Sequence, residues 1–313
     1  MKRSPSIVGR TSGALAAVAL VVIGASGCTA PTLQATCAKK LVATTSAAIT
    51  DPALAEISGI AASRATPGLW WVHNDSGDSA RVFAIDGDGV VHATLALTGA
   101  TAIDYEDIAV GEGPVAGVHY LYVADIGDNA AARSEVVVYR MVEPTVSATG
   151  STSGSITGVD TLHLRYPDAA HDAEALAIDP LSHSLVIITK SLAGGAQPAF
   201  RVSTSLAAGS TTTMSPLATV TTDAGLVGAI TGADISRDGL QLAIRTYGGV
   251  RIVGRNADLP LERFVSDGPG SVSCPAPGPP EVQGEAVGFR VDGRGYLTVS
   301  EGTGVALHRY TAP

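Results

Sequence analysis

A short motif that recurs five times is the feature that most restricts how this 313-residue chain can fold. Each copy has an acidic or polar residue, an acidic or small residue two positions later, and then an aliphatic and a small residue. The copies begin at Glu56, Asp104, Asp172, Thr231 and Gln283, and they are spaced 48 to 68 residues apart. The fourth copy is degenerate, with Thr231 and Ala233 in place of the acids. A repeat of this length indicates an array of similar supersecondary units.

Short apolar runs follow each motif. They are rich in β-branched and aromatic residues and too short for helices. Second strands are predicted over 69–75, 120–125, 184–190, 241–245 and 296–301, and third strands over 81–85, 135–139, 199–203, 249–253 and 305–310. Fourth strands are predicted over 90–97, 161–166, 217–221 and 261–265. Five units of about four antiparallel strands predict an all-β chain folded as a β-propeller.

The last unit has only three predicted strands and would leave an unpaired edge. Residues 41–49 have strand character and precede the first motif, so we expect this N-terminal strand to complete the last blade and close a five-bladed ring. Six blades is the alternative, because the interval between the second and third motifs is long. We interpret its Ser/Thr/Gly-rich part, 147–158, as a flexible insertion. A single propeller domain over 41–313 is therefore expected.

The first 27 residues resemble a bacterial lipoprotein signal peptide. Three basic residues precede an apolar stretch over 14–25, which is too short to span about 30 Å of hydrocarbon. The sequence Ser26-Gly27-Cys28 that follows is similar to a lipobox, which implies that Cys28 carries the lipid (palmitate). An ordinary signal peptide is the alternative. We expect cleavage after residue 27, a tether over 28–40, and a protein anchored to the outer face of the bacterial plasma membrane, in the cell envelope.

Export would place the remaining cysteines in an oxidising compartment, where a pair of thiols tends to form a bridge. With Cys28 expected to carry the lipid, Cys37 and Cys274 are predicted to form a disulfide. Two buried free thiols are the alternative.

The charge of the chain restricts its partners. A net charge of -9 argues against nucleic acid, and 45% apolar residues against 16% charged residues argue against disorder. We expect a monomer that meets the membrane only through its lipid. Its expected partner is a small molecule, a glycan or an envelope protein.

In a propeller the first strand of each blade lines the central channel, so the motif acids should converge at one mouth of that channel. An all-oxygen set of this kind suits Ca²⁺ better than Zn²⁺. The predicted pool of metal ligands is Glu56, Asp104, Glu106, Asp172, Glu174 and Glu285. Ligand contacts are expected from residues on or just after the second strands: His73, Asp75, Asp125, Lys190, Arg245 and Glu301. The acids have two alternative roles: they could be neutralised by nearby basic residues, or they could cap backbone amides at the strand starts.

Three segments resemble exported bacterial propellers of the SdiA-regulated and esterase-like phytase type: 56–61, 104–109 and 285–301. The resemblance implies a propeller fold and, through the phytase-like and gluconolactonase-type propellers, a hydrolase. The sequence contains no nucleophile elbow, zinc-protease motif, phosphate loop or dinucleotide fingerprint, so the catalytic residues are unknown. We expect a binding or scaffold protein, with a metal-assisted lactonase or phosphoester hydrolase as the alternative.

Overall fold

The computed structural model describes residue 1, residues 30–279, residue 281 and residues 283–313. Within these residues the strands form five small sheets arranged as a five-bladed β-propeller. The all-β fold and the preference for five blades over six are therefore confirmed. The signal peptide and Cys28 lie outside the described residues.

The elements follow one another as a series of blades. The chain begins with α1 (Pro31–Cys37) and β1 (Val42–Ala48), and blade one then comprises β2 (Ile57–Ala62), β3 (Leu69–Asn74), β4 (Arg81–Asp86) and β5 (Val91–Leu97). Blade two comprises β6 (Tyr105–Glu112), β7 (His119–Asp125), β8 (Val136–Val142) and, after β9 (Thr152–Ile156), β10 (Asp160–Arg165). Blade three comprises β11 (Ala173–Asp179), β12 (Ser184–Thr189), β13 (Gly194–Ser203) and, after β14 (Thr211–Thr213), β15 (Ser215–Ala224).

The last two blades follow a 3₁₀ turn at Leu226–Gly228. Blade four comprises β16 (Ile230–Ile235), β17 (Gln241–Thr246), β18 (Gly249–Gly254) and, after α2 (Leu261–Val265), β19 (Val272–Ala276). Blade five comprises β20 (Gly284–Phe289), β21 (Gly295–Ser300) and β22 (Ala306–Thr311). No helix among the described residues has the length and apolar character needed to cross a membrane.

The ring is closed by the first strand. β1 pairs antiparallel with β22, with Val42 opposite Thr311, and becomes the outer strand of blade five. The five inner strands, β2, β6, β11, β16 and β20, contact one another in that order around the axis, and β20 contacts β2. The predicted closure by an N-terminal strand is confirmed.

Two outer segments differ from the prediction. Residues 261–265 form helix α2 instead of a strand, because Leu261, Phe264 and Val265 lie at helical spacing and bury one face; β19 is the fourth strand of that blade. The interpretation of 147–158 as a flexible insertion is also wrong. It contains β9, which pairs in parallel with β5 and covers the outer edge of blade one.

The segment expected to act as a tether contributes α1, which packs on the propeller. Thr32 donates a hydrogen bond to the carbonyl of Gly293 at 2.7 Å, and the N–H of Leu33 donates to Gln241 Oε1 at 2.9 Å. The predicted disulfide between Cys37 and Cys274 is confirmed, and it ties the end of α1 to the outer strand of blade four.

The hydrophobic core lies between neighbouring blades as five separate clusters. Adjacent residues of a strand point to opposite faces, so Trp70 packs between blades one and five while Trp71 packs between blades one and two. The Nε1–H of Trp71 donates to Glu143 Oε1 at 3.0 Å. This packing fixes the inner strands and therefore the side chains at the two ends of the channel.

Candidate metal centre

Every inner strand carries a β-bulge at its start, where the pairing with the second strand skips one residue. A bulge leaves its extra residue out of the ladder and changes the direction of that side chain. The skipped residues, in order of the blades, are Ser58, Glu106, Glu174, Thr231 and Glu285. The bulge thus gives one defined position per blade at one end of the channel, which we call the mouth.

The bulges correct the register of the fourth motif. We aligned Thr231 with the first acid of the other copies, but it occupies the bulge, which is the position of the second acid. The first position belongs to Ala229, whose carbonyl accepts a hydrogen bond from the N–H of Tyr247. The carbonyls of Glu56 and Asp172 accept equivalent bonds in blades one and three.

A second ring of residues at the mouth is defined by these same hydrogen bonds. In each blade a residue just after the second strand donates its N–H to the carbonyl of the first motif residue. The donors are Asp75, Gly127, Lys190, Tyr247 and Glu301. The ring therefore combines two carboxylates, one ammonium, one phenol and one glycine.

Five carboxylates converge at the mouth. Oxygen atoms of Asp75, Asp104 and Glu106 lie within 4.8 Å of one another, and so do those of Glu106, Asp172 and Glu174. Glu106 belongs to both groups and is only 3% exposed. The structure thus brings together four of the six predicted metal ligands, and adds Asp75 from the predicted ligand-binding set.

The electrostatics of this cluster follow from its crowding. Two charges about 5 Å apart repel by about 3 kcal/mol at an effective dielectric of 20. Burial raises the pKa of Asp104 to about 6, and the carboxylates of Asp75 and Asp172 add to the effect. Burial also raises the pKa of Glu106 well above its usual range, with Glu174 as its strongest charged neighbour. The cluster is therefore short of positive charge.

Lys190 neutralises one of the acids. Its ammonium donates to Glu174 Oε1 and lies 5.2 Å from the centre of the Tyr247 ring. Burial opposes protonation of Lys190, but the carboxylate of Glu174 outweighs it and raises the pKa of this lysine above its ordinary value. Internal neutralisation thus applies to Glu174, while Glu106 has no ion-pair partner within 4.0 Å among the described residues.

Blade five adds two acids beside these groups. Glu285 is 3% exposed, and its Oε2 has no hydrogen-bond partner among the described residues. Burial raises the pKa of Glu285. Burial also raises the pKa of Glu301 to about 7, and the nearby carboxylates of Glu285 and Asp75 add to the shift. Glu56, the remaining predicted ligand, is exposed and belongs to neither group of three.

Three residues of the predicted ligand-binding set have defined contacts within the fold. Asp125 is fully buried, pairs with Arg133 at 2.9 Å and accepts the N–H groups of residues 103 and 104. Arg245 is also fully buried and pairs with Glu281 at 2.5 Å. His73 packs against inner strand β2, where an added Cβ at Gly59 would lie 2.6 Å from its Nε2.

The protonation of His73 follows from its contacts. Its Nδ1 lies 2.8 Å from the carbonyl of Asn74, so Nδ1 carries the proton. Burial lowers the pKa of this histidine, and its Nε2 has no partner among the described residues. His73 is therefore a neutral side chain at neutral pH.

Asp107 closes the channel below the mouth. Its carboxylate accepts backbone N–H groups from Ile108 at 2.8 Å, Leu176 at 2.8 Å and Ala233 at 3.3 Å, and so joins three blades. Burial raises the pKa of Asp107, whereas the three N–H donors act in the opposite direction. This is the capping role that the sequence left open, performed by a residue outside the predicted pool.

Gly127 provides space for the carboxylates. A Cβ at this position would lie 2.1 Å from Glu106 Oε1 and 2.4 Å from Asp104 Oδ2. The other four members of its ring carry side chains, so glycine in blade two keeps the centre of the mouth open for oxygen atoms.

Comparison of the sequence with models of known protein families and with curated proteins found no match. The mouth offers several carboxylates from neighbouring blades. Among the described residues, Glu106 has no cationic partner and the buried Oε2 of Glu285 has no hydrogen-bond partner. An arrangement of this kind can hold a hard divalent cation.

Sequence reasoning missed the ring position of Tyr247, the floor formed by Asp107 and the glycine at 127. The register of blade four could have been found from one signal. Residues 57–59 are Ile-Ser-Gly and residues 230–232 are Ile-Thr-Gly, and both place a hydroxyl residue at the bulge.

Proposed function

We propose that this protein is a lipid-anchored β-propeller of the bacterial cell envelope that binds a ligand or partner through a divalent cation, Ca²⁺, held at the mouth of its channel. The observation that carries the proposal is the sharing of Glu106 between two groups of three carboxylates whose oxygens lie within 4.8 Å. The buried Oε2 of Glu285 beside them, which has no hydrogen-bond partner in the described part of the chain, supports it independently.

Calcium suits the donor set. It takes about six to eight oxygen ligands in flexible geometry, and the two groups contain only carboxylates. Glu174 already pairs with the ammonium of Lys190. The ligands that we assign first are therefore Asp75, Asp104, Glu106 and Asp172. A cation there would have its open side toward solvent, where hydroxyls of a glycan or carboxylates of an envelope protein supply the remaining oxygens.

The test is calorimetric titration of the chelator-treated protein, residues 28–313, with Ca²⁺. We expect one site, and at least a tenfold loss of affinity in Glu106→Gln, which keeps the shape of the side chain and removes its charge. Glu135→Gln is the matched control, because Glu135 lies away from the mouth and pairs with His163 and Arg165. Equal affinity in all three proteins would refute the metal centre.

Anchoring is tested separately. The proposal is supported by the short apolar stretch and Ser-Gly-Cys sequence that precede the propeller. Protein extracted from membranes of a bacterial host should lack residues 1–27 and carry added acyl mass on Cys28. An unmodified Cys28 in the secreted fraction would exclude the anchor and leave the metal centre untouched.

A metal-assisted hydrolase is the second candidate, favoured by one observation. The pKa values of Asp104 and Glu301, about 6 and about 7, lie close to neutral pH, as general acid–base catalysis requires. A bound cation would supply activation of water or polarisation of a carbonyl. Lactones and phosphoesters should be assayed with Ca²⁺ and with chelator. Turnover that chelator and Glu301→Gln both abolish would establish the hydrolase; no turnover would exclude it for those substrates.

A further inference from the structure

The end of the channel opposite the mouth carries basic residues. Arg64 and Arg237 occupy equivalent positions, each directly after a serine that follows the inner strand of blade one or blade four. Arg290 follows inner strand β20 of blade five directly. Blades four, five and one are neighbours in the ring, so the three arginines share one sector of this face.

A cleft of about 620 Å³ opens in this sector. Its lining includes Arg64, Arg237, Arg290 and Arg309 against a single acid, Asp292. Clefts that bind small molecules commonly have volumes of about 300–1,000 Å³. The cleft is thus large enough for a small organic molecule and strongly positive.

Most of the arginines that line the cleft have no ion-pair partner among the described residues. Within the described part of the chain, no carboxylate lies within 4.0 Å of the guanidinium of Arg64, Arg237 or Arg309. Arg290 pairs with Asp292 at 2.8 Å. Burial lowers the pKa of Arg64; among the charges around it the carboxylate of Asp234 has the largest effect and raises the pKa, whereas the guanidinium of Arg237 lowers it. The two guanidinium groups therefore line one cleft, and neither has a carboxylate in ion-pair contact among the described residues.

The cleft also has a shaped apolar wall and a glycine that makes room for one arginine. Trp70 is 6% exposed and lines the cleft together with Leu69. Arg309 Nη2 donates to the carbonyl of Gly87 at 3.1 Å, and a Cβ at Gly87 would lie only 2.0 Å from that nitrogen. A side chain at this turn would make the guanidinium of Arg309 shift from its place beside the carbonyl of Gly87.

We propose that this cleft binds a small organic anion whose phosphate or carboxylate group contacts Arg64 and Arg237 and whose apolar body packs on Trp70. Guanidinium groups bind both oxyanions through paired, charge-assisted hydrogen bonds. The site is independent of the cation at the mouth, because the six residues of β2 separate the two ends of the channel by about 20 Å at roughly 3.3 Å per residue.

The test is a fluorescence titration of the full propeller with three probes of similar size: phenyl phosphate, benzoate and neutral phenol. Trp70 is the reporter, since it lines the cleft, whereas Trp71 packs between blades one and two. We expect quenching by at least one anion and at least a tenfold weaker dissociation constant in Arg64→Gln/Arg237→Gln. Arg201→Gln, on the third strand of blade three, is the control.

The outcomes separate clearly. A preference for phenyl phosphate or for benzoate identifies the anionic group and supports the proposal in either case. Quenching by phenol equal to that by both anions, no quenching by any probe, or equal affinities in the double variant and the control would overturn it. The comparison of probes on the unmodified protein decides the matter even if the double variant does not fold.

Discussion

Glu106 is the residue at which removal of one charge should have opposite effects with and without metal. It is nearly fully buried between two groups of carboxylates and has no cationic partner within 4.0 Å among the described residues. In chelator we expect Glu106→Gln to be more stable than the unmodified protein, by about 1 kcal/mol or more, because it removes like-charge repulsion. Adding Ca²⁺ should raise the unfolding free energy of Glu106→Gln by less than it raises that of the unmodified protein. Thermal melting in both conditions measures the two effects.

The control for this prediction is Glu135→Gln, which removes a partly exposed carboxylate paired with His163. Its stability should stay within about 0.5 kcal/mol in both conditions. If Glu106→Gln melted lower than the unmodified protein in chelator, Glu106 would be a structural cap rather than a metal ligand.

Gly127 should be sensitive to a single methyl group. A Cβ there would overlap the oxygens of Glu106 and Asp104, so Gly127→Ala should push the carboxylates apart and weaken Ca²⁺ binding at least tenfold. Gly154→Ala is the matched control, because a Cβ at 154 would have only an ordinary contact of 3.5 Å with Leu95. Calorimetric titration compares the two variants. Unchanged affinity in Gly127→Ala would show that the cation does not depend on this arrangement of carboxylates.

At the level of elements, the disulfide should stabilise the closed ring. Cys37 and Cys274 are separated by 237 residues, and the chain-entropy model gives a loop of this size about 5 kcal/mol as an upper limit. The variant Cys37→Ser/Cys274→Ser should therefore unfold at a lower urea concentration than the unmodified protein. Reductant should shift the unmodified protein toward the variant and leave the variant unchanged. Coincident urea curves for the oxidised protein and the variant would contradict the prediction.

The elements also show what a sequence can reveal about this fold. The repeated motifs and the unpaired last blade predicted five blades and their closure by β1, because both depend on patterns inside the chain. β9 was missed because its Ser/Thr/Gly sequence has no strand pattern of its own, and its pairing depends on the free edge of β5. α2 was missed because the segment Leu-Glu-Arg-Phe-Val is too short for its apolar spacing to distinguish a helix from a strand.

The candidate site was predictable to a similar extent. The acids of blades two and three were found because their types and spacing repeat, and the inner strand of a propeller faces the channel. Asp125 and Arg245 lie at or next to the ends of β7 and β17, as predicted, but the ring at the mouth is formed by Gly127 and Tyr247, two residues further along the chain. Bulges and hydrogen bonds set that register, and neither has a signal in hydrophobic periodicity.

At the scale of the whole molecule, the carboxyl groups with raised pKa values predict how stability depends on pH. A carboxyl group with a raised pKa binds its proton more tightly in the folded than in the unfolded state, so unfolding free energy is lost as pH rises toward the folded pKa. The values of about 6 for Asp104 and about 7 for Glu301 place this loss between about pH 4, where the unfolded groups ionise, and about pH 7. Burial raises the pKa of Asp234 to about 7 as well, and it contributes in the same direction at the other end of the channel.

Calcium should remove the part of this loss that arises at the mouth. The cation favours the ionised form of Asp104 and Glu106, so stability in Ca²⁺ should fall less steeply with pH than stability in chelator, and the difference between them should grow from about pH 5 to about pH 8. His73 acts in the opposite sense, since its lowered pKa costs stability as pH falls below the ordinary histidine range. Urea unfolding across this range measures the difference. Asp104→Asn should reduce it, whereas Asp223→Asn, at an exposed position of blade three, should not. Parallel curves in Ca²⁺ and chelator would mean that protons and the cation do not compete for the carboxylates at the mouth.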